Sequence, residues 1–395
     1  MNRNEDVRGG NYAGQKLSKE NICAHLGDDY DRYLGAIVPP IFQNTLFTRK
    51  TKSHGYTYTR VSNPTLETAE QKIAALEEGE QALVFSSGMS AITAALMYFM
   101  EKDCHIISLK SAYTPARKFI DTYMTKFGVE STFLSGENVE EFEQAIRPDT
   151  KIIYLESPVS NVFSMQDLEQ IAKLAKSRGI ATIVDNTWAT PLFQNPLLFG
   201  IDVVVHSASK YLGGHSDIIG GVLISSKEIA ESIMHNERGM YGAVMDPHQA
   251  WLLTRGLRTL PLRMEKHQQS GLEVAKFLQE HPLVEKVFYP GLKEHSQYEL
   301  GQKQMSGYCG LMSFIPKGAV LPITSMPKAM DIFEVGPSWG GFESLMNFPG
   351  AGITPEASEL TGIPAGLVRI SVGLENVQSI MEDLDRGLHS LTRSV

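Results

Sequence analysis

The sequence predicts an α/β protein: a mostly parallel β-sheet covered by helices, followed by a smaller α+β domain towards the C-terminus. Two observations carry that reading. From residue 63 onwards short apolar runs alternate with stretches of helical periodicity, and such alternation implies crossover connections between parallel strands. Near residue 256 the alternation gives way to a helical stretch bearing Arg255-Gly256-Leu257-Arg258, and then to mixed strands and helices. A chain of 395 residues, 42% of them hydrophobic, is long enough for two or three domains at roughly 100–200 residues each.

Residues 1–62 are polar, glycine-containing and weakly periodic, as expected of an arm that lies on another surface. Asn63-Pro64-Thr65 then reads as a helix start, because asparagine caps orphan N–H groups and proline suits the first helical position; Leu66, Ile73 and Leu76 form the apolar stripe behind it. The strand Ala82–Phe85 leads to a helix over Ser90–Met100, His105–Leu109 to one over Ala116–Thr125, and Lys151–Leu155 to one over Asp167–Ser177. Ala181–Asp185, Val203–His206 and Gly221–Ile224 add three strands. The expected division is an arm over 1–62, a large domain over 63–255 and an α+β domain over 256–395.

Composition narrows the function. With 36 basic and 45 acidic side chains, a formal charge of −9 and no lysine/arginine block, the chain lacks the footprint of a nucleic-acid or anionic-membrane binder. The longest nearly apolar run, Ala91–Met100, falls short of the ~20 residues of a membrane span, and the N-terminus has no apolar signal region. Cys23, Cys104 and Cys309 lie far apart without a C-x-x-C pair, which fits a reducing cytoplasm better than a disulfide framework or structural zinc. His206 and His215 lack metal-ligand spacing and read as structural, so no metal is expected. Gly350-Ala-Gly352-Ile-Thr-Pro355 breaks the dinucleotide fingerprint at its last position, which argues against a nicotinamide dehydrogenase. Small-molecule chemistry remains.

Ligands in open α/β sheets sit at the carboxyl ends of strands, and three strand ends here carry suggestive residues. Ser207-Ala-Ser209-Lys210-Tyr-Leu-Gly213-Gly214 places one lysine among hydroxyls and glycines, where its amine either forms a Schiff base or is merely solvated. Asp185 ends an apolar strand, where its carboxylate either keeps a pyridinium nitrogen protonated or caps the next turn. Ser86-Ser87-Gly88-Met89-Ser90 joins a strand to a helix, so its amides suit a phosphate dianion or simply make a tight turn.

Together these segments resemble the cysteine/methionine-metabolism family of pyridoxal-phosphate enzymes, within the aspartate-aminotransferase-like fold (fold type I, a seven-stranded sheet). The resemblance covers about residues 30–395 and rests on Tyr58-Thr-Arg60-Val-Ser-Asn63-Pro64-Thr65, Ser86-Ser87-Gly88-Met89, Asp185-Asn186-Thr187, Ser207-Ala-Ser209-Lys210-Tyr211 and Val368-Arg369-Ile-Ser-Val-Gly373-Leu-Glu375. It implies that pyridoxal 5′-phosphate is held covalently by Lys210, that Asp185 pairs with the ring nitrogen, and that Tyr113 stacks on the ring. It further implies that Gly88, Met89, Ser207 and Ser209 bind the phosphate, joined by Tyr58 and Arg60 of a neighbouring subunit, so that a homodimer is the minimal active unit and a homotetramer the expected assembly. Arg369 would take the α-carboxylate of a small sulfur amino acid.

Within the family, Ser338-Trp339-Gly340-Gly341-Phe342-Glu343-Ser344 resembles the β-lyase version of that stretch, as do Ser160 and Trp188 in their segments, so Ser338, Trp339 and Tyr58 are expected beside the substrate. Pro115 stands where methionine γ-lyases carry cysteine, whereas Tyr58–Thr65 follows the broad family pattern. The resemblance therefore implies a cytoplasmic carbon–sulfur lyase of trans-sulfuration and methionine biosynthesis, β-eliminating L-cystathionine to homocysteine, pyruvate and ammonia, with Lys210 as base and Tyr113 assisting. The alternatives are a γ-acting relative and, more remotely, a non-catalytic binding protein of the same fold.

Overall fold

The computed structural model describes residues 17–50, 55–318 and 322–392, and the chain divides into two compact units. One comprises Met1–Met100 with Ala181–Pro261, the other Glu101–Ile180 with Leu262–Val395. Seven strands form the α/β part of the chain: β1 (Gln81–Phe85), β2 (His105–Leu109), β3 (Glu130–Leu134), β4 (Thr150–Glu156), β5 (Ala181–Asp185), β6 (Val203–Ser207) and β7 (Gly221–Ser225). The first unit carries the run β1-β7-β6-β5 and the second the run β4-β2-β3. β5 runs parallel to β6, and β2 parallel to both β3 and β4; β7 is antiparallel to its two neighbours, β6 and β1. Every residue of β2 and of β7 is buried, as in strands covered on both faces.

The six strands expected from apolar runs are present, and the seventh, β3, escaped that signal. Its sequence, Glu-Ser-Thr-Phe-Leu, is polar and half-exposed because it forms an edge of the run β4-β2-β3. Helix boundaries follow their caps. Asn63 accepts the Thr65 N–H at 2.9 Å to start Pro64–Leu76. Ser87 accepts the Ser90 N–H at 3.1 Å, so the next helix begins at Gly88, two residues before its apolar periodicity. The single helix expected over Ala116–Thr125 is instead three differently wound turns, Thr114–Lys118, a π-helical Phe119–Tyr123 and a tighter Met124–Phe127. That winding stacks the Phe119 and Tyr123 rings at 5.0 Å, a contact that apolar spacing does not reveal.

The second unit adds a five-stranded sheet, β8 (Val284–Phe288), β9 (Leu311–Pro316), β10 (Glu334–Val335), β11 (Leu345–Asn347) and β12 (Val368–Ser371), in the order β10-β11-β12-β9-β8. Long helices over Leu260–Glu280 and Val377–Thr392 accompany it, giving the α+β character expected of the C-terminal part. Among the described residues no helix is long and apolar enough to cross a membrane.

Candidate active site

In the first unit the parallel pairing of β5 with β6 sets Asp185 opposite Val205, so the residues that follow each strand emerge side by side. Thr187 joins them: its backbone N–H donates to Asp185 Oδ1 at 3.0 Å, its hydroxyl donates to the same oxygen, and that hydroxyl accepts the Ser207 N–H at 2.8 Å. Asp185 is only 7% exposed. Burial raises its pKa above the ordinary carboxylate range, against the opposing pull of Thr187, His206 and Lys210. A buried carboxylate of this kind is completed by a cationic N–H, which is what a protonated pyridine nitrogen supplies.

Lys210 stands in the turn directly after β6, half-buried. The turn is held by backbone contacts on both flanks. A Cβ on Gly256, in the helix Pro247–Arg258, would fall 2.3 Å from the Gly213 carbonyl oxygen, and one on Gly221 would fall 2.1 Å from that of Ser87. Ser209 Oγ accepts the Gly220 N–H at 3.0 Å, which fixes the far side of the loop. Gly88 opens the 12-residue helix Gly88–Phe99, and a Cβ there would meet Ser207 Cβ and Oγ at 3.1 Å. The first amides of that helix, on Gly88 and Met89, have no intrahelical acceptor, so this close backbone approach beside Ser207 suits a phosphate. The residues present therefore fit pyridoxal phosphate at both its ring nitrogen and its phosphate. Tyr58 is 42% exposed; Arg60 lies 5.6 Å from its ring centroid and donates to the Gly239 carbonyl within the same chain.

In the second unit Arg369, on β12, is 7% exposed and is held entirely by neutral acceptors. Its Nη1 donates to Ser160 O at 3.3 Å and to Asn161 Oδ1 at 3.2 Å, and its Nη2 to Pro337 O at 2.8 Å. Among the described residues no carboxylate forms an ion pair with it, and burial lowers its pKa to about 10. Of five guanidinium N–H donors, these bonds leave the Nε–H and one Nη2–H. Glu156, at the end of β4 and 5% exposed, accepts the Tyr113 N–H at 2.5 Å and the Ser160 N–H at 2.8 Å, so one carboxylate ties the Tyr113 turn to the carbonyl that holds Arg369. Tyr113 itself is 44% exposed. Ser338 is exposed and Trp339 buried, next to Pro337.

Residues 20–389 match the family described as Cys/Met metabolism PLP-dependent enzyme. The chain belongs to that family. A cystathionine γ-lyase of Bacillus subtilis is 39% identical over 382 residues, covering 95% of this chain and all of that protein. A cystathionine β-lyase of Lactococcus lactis is 38% identical over 373 residues, covering 92% of this chain and 97% of that protein. The crystal structure of a cystathionine γ-lyase from Lactobacillus plantarum, complexed with L-serine, superposes with a TM-score of 0.90 at 33% identity, covering 95% of this chain and 100% of that one. Membership makes this a pyridoxal-phosphate-dependent enzyme of fold type I. Its relatives include both β- and γ-acting lyases at nearly equal identity.

Three contributors lay outside the sequence-based assignments. Thr187 stood inside a quoted motif without a role, Glu156 was not singled out, and Gly221 stood only as the start of a strand. A glycine at a strand's first residue, directly after another glycine, was the available signal for a close backbone approach. Outside these groups, His281 Nε2 and His389 Nδ1 both face Asp385 Oδ1, at 3.0 and 3.4 Å. Because His281 Nδ1 accepts the Leu283 N–H, its proton sits on Nε2, so this trio reads as a hydrogen-bonded clamp rather than a metal centre.

Proposed function

We propose that the protein is a carbon–sulfur lyase that β-eliminates L-cystathionine to homocysteine, pyruvate and ammonia. The observation that carries a carboxylate-bearing substrate is Arg369, a buried guanidinium with neutral acceptors on one side and two N–H groups left for a planar anion. Bound pyridoxal phosphate supplies the electron sink that lets a Cα proton leave. In this proposal Asp185 holds the proton on the ring nitrogen, Gly88, Met89, Ser207 and Ser209 hold the phosphate, and Tyr113 lies against the ring. The Lys210 amine removes the Cα proton and returns a proton to the departing sulfur as the Cβ–S bond breaks, the kind of positioned acid–base work worth ~10²–10⁴-fold. Hydrolysis of the remaining three-carbon fragment gives pyruvate and ammonia. Tyr58 and Arg60 complete the phosphate site of a neighbouring subunit, in a homodimer or a tetramer of such dimers in the cytoplasm.

The choice of β- over γ-elimination is supported by the Ser338–Ser344 stretch, with Trp339 buried beside the Pro337 carbonyl that holds Arg369, and by Pro115 in the Tyr113 turn. The equal closeness of γ-lyases favours a second reading, γ-elimination, which requires a further proton removal at Cβ. Incubation of the purified yellow enzyme with cystathionine decides between them. Pyruvate supports the proposal, and 2-oxobutyrate replaces it with the second reading.

A further inference from the structure

Behind the cradle lies a second carboxylate that the reaction does not call for. Glu77 follows the helix Pro64–Leu76 and is completely buried. Its Oε1 accepts Asn186 Nδ2 at 3.0 Å, and its Oε2 accepts His206 Nε2 at 2.9 Å. Asn186 and His206 directly follow and precede Asp185 and Ser207, the two residues that Thr187 links on the other side. His206 Nδ1 is buried without a hydrogen-bond partner among the described residues, so the proton resides on Nε2 and points at Glu77. Asn186 is saturated as well: it donates to Gln194 O at 2.9 Å and accepts Gln194 Nε2 at 2.9 Å.

We propose that Glu77 is a positioning residue for the cofactor: by gripping Asn186 and His206 together it fixes the ends of β5 and β6, and hence the placement of Asp185 and Ser207. A carboxylate is the one group that can accept from both neighbours. An amide at position 77 would turn a donor towards one of them, leaving a fully buried donor facing a donor. Packing alone does not require this arrangement, since an apolar side chain of similar size would fill the volume.

The inference rests on the assignment of Asp185 and Ser207 to the cofactor, and the test separates the two. Apoenzymes of wild type, Glu77→Gln, His206→Asn and Asp185→Asn are titrated with pyridoxal phosphate, and the thermal midpoint of each apoenzyme is measured. The expected result is at least a tenfold weaker cofactor affinity in Glu77→Gln, and a smaller loss in His206→Asn, which releases one arm of the grip and keeps the other. If Glu77→Gln does not fold, His206→Asn carries the test. Folded variants that bind the cofactor within twofold of wild type, whatever their thermal midpoints, overturn the role of Glu77. Asp185→Asn binding as tightly as wild type overturns the cradle assignment instead.

Discussion

Replacing Arg369 by lysine removes the planar fork and keeps the positive charge, which makes it the sharpest probe of substrate capture. The three bonds to Ser160, Asn161 and Pro337 account for both Nη1 hydrogens and one on Nη2, leaving the Nε–H and the second Nη2–H for a carboxylate. A lysine amine reaches with a single point of attachment, so one of the two charge-assisted bonds is lost. At about 1.5–3 kcal/mol per bond, that loss predicts kcat/KM for cystathionine falling by roughly 10- to 100-fold. Most of it should appear in KM, because the carboxylate is held alike before and during the chemistry. Cofactor affinity, which the proposal assigns to Lys210, Asp185 and the phosphate cradle rather than to Arg369, should change by less than threefold. Coupled measurement of keto-acid release against substrate concentration, together with titration of the apoenzyme, reads both quantities. A kcat/KM within threefold of wild type, or a parallel loss of cofactor affinity, would refute the assignment.

Lys210→Ala should abolish the visible absorbance of bound pyridoxal phosphate and keto-acid formation together; turnover surviving at wild-type rate removes this lysine from the chemistry. Gly221→Ala drives a Cβ into the Ser87 carbonyl, 2.1 Å away, so cofactor affinity measured by titration should fall at least tenfold while the helical circular dichroism persists. Lys72, whose side chain is fully buried 3.6 Å from Asp28, has its pKa lowered by burial from 10.5 to about 8. Its charge therefore costs the folded state about 3 kcal/mol below pH 8, a cost relieved as pH rises from 8 to 10.5, where the unfolded chain still holds the proton. Lys72→Met should flatten that rise in urea-unfolding stability between pH 7 and pH 10, and an unchanged slope would show that Lys72 does not carry it.

The main sheet and the family motifs were legible because they depend on local signals: apolar strands buried on both faces, caps such as Asn63, and strand-end residues of distinctive chemistry. β3 was not legible, since an edge strand need not be apolar, and neither was the change of winding after Lys118. The sequence displayed Lys210, Asp185 and Arg369 as candidates, whereas the contacts of Thr187, Glu156 and Glu77 span 20, 43 and 129 positions of chain, which no local pattern encodes. Ser209 illustrates the intermediate case: its hydroxyl is visible in the motif, but its bond to the Gly220 amide emerges only from the folded loop.

The two glycine approaches that flank Lys210, Gly256 against Gly213 and Gly221 against Ser87, have no side chains that could repack. Main chain resting on main chain tolerates no gradual adjustment, so this half of the protein has little freedom to drift. Arg369, by contrast, is gripped by a loop carbonyl, an asparagine amide and the carbonyl of a proline, each on a segment whose side chains can change one at a time. Diversification would accumulate around Arg369, with the backbone packing around Lys210 inherited intact.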